Sequence, residues 1–210
     1  MGAGVIDDVG VDRRAALLAR GLRLEYATLG WNVVEIGFLV YAAAAARSVA
    51  LAGFALDSCI EIFASLVVVG QLRGDATPEH ERRALRRIGV AFFLLALYVT
   101  AQAALTLALG IRPDPSPLGT AWLAVTCVVM LGLAAGKART GAELGHAVLQ
   151  AEAKVTLIDG ALAAAILLGL VLNAMAGWWW ADVAAGAVLV AYGLREGRDH
   201  LQAATPSAPG

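Results

Sequence analysis

The chain has 210 residues, 60% of them hydrophobic and only 16% charged, with a formal net charge of −1. Soluble domains are about 45–50% apolar and about 25% charged, so this composition argues against an ordinary soluble domain. The near-zero charge gives no general attraction to nucleic acid.

Taken in chain order, the N-terminus carries Asp7, Asp8 and Asp12 where a signal peptide would be basic, and the first apolar run starts only near Leu24. No cleavable signal is expected. Residues 1–23 read as a cytoplasmic segment, able to form a surface helix feeding the first span. Six apolar runs follow, at 24–46, 49–72, 88–110, 118–136, 148–175 and 178–194. A helix needs about 20 apolar residues to cross a hydrocarbon core of about 30 Å. The expected fold is therefore an all-α integral membrane bundle of six transmembrane helices over residues 24–200, with a disordered tail at 201–210. The links are punctuated: Arg47-Ser48 is a tight hairpin, and residues 112–117 alternate proline with polar residues, which stops a helix. Trp178, Trp179 and Trp180 suit the headgroup level. Thirteen Lys and Arg side chains fall on one side of this arrangement and two, Arg47 and Arg112, on the other. The positive-inside rule then places both termini in the cytoplasm, in a cell (inner or plasma) membrane.

Acids inside a span cost about 2.5–3.5 kcal/mol each on insertion scales, and this chain has several. Asp57 and Glu61 stand at i and i+4 on the second helix. Glu152, Thr156 and Asp159 stand at i, i+4 and i+7 on the fifth. Glu25, Thr28, Asn32 and Glu35 share a stripe on the first; such spacings fall on one helix face. At a rise of about 1.5 Å per residue, Glu35, Glu61 and Asp159 each lie about 16 Å deep and Asp57 about 22 Å. Four acids on three helices thus converge, with Glu152 two turns nearer the cytoplasm, as on an access route. Acids at one depth suit a divalent cation or a proton relay, and zinc, manganese and other divalent ions all accept oxygen donors.

Other polar residues read as structural. Asn32 and Thr156 suit interhelical hydrogen bonding as well as ligation. Lys137 reads as a boundary anchor, Tyr98 and Gln102 as packing groups, and His80, His146 and His200 as solvated. Cys59 and Cys127 form no CxxC pair and read as small buried core residues. No histidine lies in a span, which leaves an intramembrane hydrolase, and an enzyme generally, without support.

The stretch from Ala55 to Ser65, containing Asp57-Ser58-Cys59-Ile60-Glu61, resembles the second helix of the cation diffusion facilitator family. Asp159 is similar to the second member of that family's fifth-helix pair, and Trp180-Ala181-Asp182 resembles the start of its sixth helix. The resemblance covers roughly residues 24–200. It implies export of a divalent metal ion, zinc first among them, in exchange for protons, in the lipid bilayer and usually as a homodimer. The metal would be substrate, with no resident cofactor. The set it implies is Asp57, Glu61 and Asp159, but the position four before Asp159 is Val155, which cannot ligate. Glu35, Glu152 or Asn32 would have to replace it. The cytoplasmic metal-binding domain usual after the sixth helix does not fit in the residues that follow. The alternative expectation is a non-transporting membrane protein that senses metal or scaffolds a partner.

Overall fold

The computed structural model describes residues 3–73 and 78–205, with side chains described for all of these except 3–11, 71, 78, 80, 81, 84, 147 and 148. It forms six helices, α1 (Ala3–Ala46), α2 (Val49–Arg73), α3 (Pro78–Ala108), α4 (Pro117–Leu144), α5 (Ala147–Ala176) and α6 (Trp180–Ala203), with no strand among the described residues. Neighbours in space run α1, α2, α3, α6, α5, α4 and back to α1, a closed ring across which α2 also touches α5 and α6.

The distribution of side chains is the reverse of a soluble bundle. Large apolar groups face outward, among them Leu109 at 70% and Val128 at 71% exposure, while Asn32, Glu35, Asp57, Glu61, Lys137 and Asp159 are buried. In water such a surface would be a large exposed apolar patch; in lipid it is at home. Five helices, α1 to α5, are long and apolar enough to cross a membrane, so the chain is a multi-pass membrane protein. α6 is not among them. Its first part is apolar, but its last three turns carry Arg195, Glu196, Arg198 and Asp199.

Several boundaries differ from expectation. α1 is a single helix of 44 residues, so residues 3–23 continue the first span instead of forming a separate segment; no proline interrupts them. α4 runs two turns past Gly136, because no helix breaker occurs before Gly145 (φ 63°). α6 extends to Ala203, which shortens the expected tail; residues 206–210 lie outside the described residues.

The end of the bundle opposite the termini is stitched together. α1 stops at Arg47, whose φ of 53° is left-handed, and Ser48 N donates to Ala43 O at 3.1 Å, closing the helix in a Schellman-like turn. Ser48 then caps α2, its Oγ accepting from Leu51 N at 3.1 Å. Asp182, in the first turn of α6, accepts from Ser48 Oγ and from Val49 N at 2.9 Å. The α3–α4 loop joins in. Asp114 N donates to Ala46 O, Arg47 Nη2 meets Asp114 Oδ2 at 2.8 Å, and Asn173 Nδ2 of α5 donates to Pro113 O at 3.0 Å. Elsewhere small residues bring backbones together. A Cβ on Gly89 of α3 would lie 3.0 Å from Gly197 O of α6, and one on Gly169 of α5 would lie 2.9 Å from Ala181 O.

Candidate cation site

The acidic stripe of α2 faces into the ring. Asp57 is fully buried and Glu61 nearly so, because this face meets α1, α5 and α6 while Leu56, Phe63 and Leu66 point outward. Neither Asp57 Oδ1 nor Oδ2 has a hydrogen-bond partner, and the same holds for both oxygens of Asp159 on α5. Glu61 Oε2 accepts from Asn32 Nδ2 of α1 at 3.0 Å, which leaves Asn32 Oδ1 buried without a partner. Ser65, one turn beyond Glu61, also has an unpartnered buried Oγ. Asp159 lies within electrostatic reach of Glu61, Asp57 and Glu35, and Glu61 within reach of Asp57.

Such orphans are rare, because a buried polar group without a partner costs about 1–3 kcal/mol, and more if charged. Here several occur on three helices around one interior. Among the described residues, though, no three His, Cys, Asp or Glu side chains draw close enough together to hold a metal ion as they stand. The carboxylates lie within electrostatic reach of one another without closing on one point.

The two carboxylates considered as replacements for Val155 are both occupied. Glu35 accepts from Thr126 Oγ1 at 2.6 Å, Trp122 Nε1 at 3.2 Å and Ser58 Oγ at 3.1 Å. Trp122 is held there by stacking on Phe38 and Trp31. With three donors on its two oxygens, Glu35 is a fixed acceptor binding α1 to α2 and α4. Glu152 is engaged by a different group. Its Oε1 lies 3.3 Å from the ammonium of Lys137, which also reaches Glu25 Oε2 at 3.1 Å and Thr156 Oγ1 at 3.0 Å. Asn32, with a free carbonyl oxygen beside Glu61, is the replacement that the geometry favours.

Lys137 is the residue most misread from sequence. It is no boundary anchor but fully buried, since α4 continues past it. Thr140 one turn on and two glycines at 141 and 145 were the available signs that the helix did not end in headgroups. Lys154, by contrast, is exposed along a groove between α4 and α5. Three further expectations change. His200 is largely covered, with Nδ1 3.7 Å from Glu196 Oε2 and its ring beside Phe92. His146 caps α5, accepting from Leu149 N at 3.3 Å. Tyr98 is exposed along a lipid-side groove of about 620 Å³ that also touches Cys59 and Gln102. Both cysteines are half-buried, Cys127 donating to Gly160 O at 3.6 Å. The side chain of His80 lies outside the described residues.

No protein-family model matches the chain, and no curated protein matches it as a relative. The likeness to cation diffusion facilitators therefore rests on the second-helix, fifth-helix and sixth-helix residues themselves. Of these, Asp182 has a structural explanation, as the acceptor that caps α2.

Proposed function

We propose that the protein is a secondary transporter of divalent metal cations, zinc-like in class, that exports them by proton antiport through a six-span membrane bundle with both termini in the cytoplasm. Asp57, Glu61 and Asp159 are the ligands, with Asn32 Oδ1 in the position left by Val155. The observation that carries this reading is the set of buried carboxylate oxygens on Asp57 and Asp159 that bond to nothing. Charge held in that interior has to be balanced by a cation or by protons, and exchange of one for the other is antiport. Carboxylate and amide oxygens suit zinc, manganese and other divalent ions. α6, stitched to α2 at one end, supplies the sixth crossing, its charged last turns reaching the cytoplasmic surface with the basic side chains of α3. Rocking of helix groups would expose the interior to each side in turn.

The test is a panel of divalent metals in proteoliposomes under an imposed pH gradient. The wild type should show metal-driven proton flux, and Asp57→Asn and Asp159→Asn should each abolish it. Flux that survives both substitutions rejects this site. The ligands do not close on one point, which favours a second reading, a metal sensor or scaffold that moves no ion. Binding in calorimetry without flux in proteoliposomes would select it.

A further inference from the structure

The Lys137 cage has no part in the site just proposed, and its charges do not cancel. Three helices supply it: Glu25 from α1, Lys137 from α4, Glu152 and Thr156 from α5. Glu25 and Lys137 are fully buried and Glu152 nearly so. One ammonium faces two carboxyls, at 3.1 and 3.3 Å. Its third donor goes to Thr156 Oγ1 at 3.0 Å, so all three N–H bonds of the ammonium are used. Glu25 Oε1 is left buried without a partner. Among the described residues, the charged groups acting on Glu25 are Lys137 and Glu152. Those facing Glu61, the nearest acid of α2, include Asp57, Asp159, Glu152 and Lys137.

If both carboxyls were ionised, the cage would hold one uncompensated negative charge away from water, where a single extra charge is strongly disfavoured. A proton on one of them restores neutrality. We infer that the Glu25–Lys137–Glu152 cage is a proton-binding site distinct from the ligand carboxylates, which stores one proton and gives it up when a divalent cation reaches Asp57, Glu61 and Asp159. The proton leaves the carboxyl of Glu25, whose Oε1 is buried without a partner, its O–H bond pair staying on oxygen, and passes to water; no other bond is made or broken. The coupling runs through Glu61. Glu25 to Asn32 and Glu152 to Asp159 are each seven residues, about 10 Å along a helix. Each net positive charge gained at the ligand carboxylates, at that separation and an effective dielectric of about 20, lowers the cage's proton occupancy roughly fifteenfold. The release step rests on the transport reading; the stored proton does not.

The experiment counts protonated carboxyls in the full-length protein by the infrared C=O stretch of the acid form, at neutral pH without metal. Relative to wild type, Glu25→Gln and Glu152→Gln should each lose the signal of one protonated carboxyl, because either leaves a neutral pair with Lys137. Lys137→Met should gain one, because both acids must then be neutral. An unchanged signal in both glutamine variants overturns the stored proton. Unchanged tryptophan fluorescence in the two near-isosteric glutamine variants checks that they are folded. In the second arm, zinc or manganese is added to wild type and to Glu152→Gln at equal occupancy measured by calorimetry. Wild type should release one proton more per bound metal. Equal release overturns the coupling. If wild type binds neither metal, the transport reading fails and the coupling with it, while the metal-free spectra still decide the stored proton.

Discussion

Asp182 is the acceptor on which α2 and α6 meet, and its removal has a size that can be worked from its partners. The side chain is fully buried and accepts from Ser48 Oγ and from Val49 N. Each hydrogen bond to a charged acceptor contributes about 1.5–3 kcal/mol, and a buried donor left unpaired costs about 1–3 kcal/mol. The Ser48 hydroxyl can turn to another acceptor, whereas the Val49 N–H is fixed by the helix. Asp182→Ala should therefore destabilise the bundle by about 3–5 kcal/mol. Asp182→Asn, which keeps one acceptor oxygen but points an NH₂ group at a donor, should cost about 1–3 kcal/mol on the same scale. Ser48→Ala should cost about 1–2 kcal/mol as a lost N-cap. The double variant Ser48→Ala/Asp182→Ala should fall short of the sum of its parts, because the two residues share one hydrogen bond. Reversible unfolding in mixed micelles, followed by tryptophan emission, measures all four, and Trp178, Trp179 and Trp180 stand beside the cap. A loss below about 0.5 kcal/mol for Asp182→Ala, the level of an ordinary surface change, refutes the capping role.

Further outcomes follow from the packing and from the site. Gly169→Ala would push a methyl to 2.9 Å from the Ala181 carbonyl, which belongs to a helix backbone and cannot turn aside; overpacking of this kind costs about 1–3 kcal/mol. Gly132→Ala meets nothing within 4 Å and should be neutral or stabilise by about 0.5–1 kcal/mol, the helix preference for alanine. The same micelle unfolding assay separates the pair. At the site, Glu35→Gln should leave calorimetric metal affinity within about threefold while Asp159→Asn removes it, since a three- to fivefold change is under about 1 kcal/mol. Loss of binding in Glu35→Gln would return Glu35 to the ligand set. Thr126→Val, which deletes the 2.6 Å bond to Glu35, should cost about 1.5–3 kcal/mol of stability without changing metal affinity.

Apolar run length was enough to find the helices, because crossing lipid imposes a minimum on any span. The acids of α2 and α5 were equally visible, since nothing else explains Asp57, Glu61 and Asp159 in such company. What the chain does not display is which neighbour each polar group meets. Asn32 and Glu35 are three residues apart on one stripe, yet Glu35 faces Trp122 and Thr126 of α4 while Asn32 faces Glu61 of α2. That division depends on the relative register of three helices, which periodicity within one helix cannot express. Lys137 was misjudged for a related reason. A lysine at a lipid boundary and a lysine enclosed by two distant acids end an apolar run in the same way. The helix feeding the first span was legible but its unbroken union with that span was not, because hydropathy marks where a helix enters lipid and says nothing of where its hydrogen bonding begins.

The stitched end has a consequence for motion. The start of α2 is tied to α6, the end of α1 to the α3–α4 loop, and that loop to the end of α5, all at the face away from the chain termini. A sheaf bound at one end splays at the other. Widening of the ring is cheapest at the terminal face, where the buried ammonium of Lys137 clasps α1, α4 and α5 from within, with Gln150 on Gly141 O and Arg13 beside Glu143 at the rim, so charge inside the bundle helps hold shut the side on which the helices have the most freedom to part.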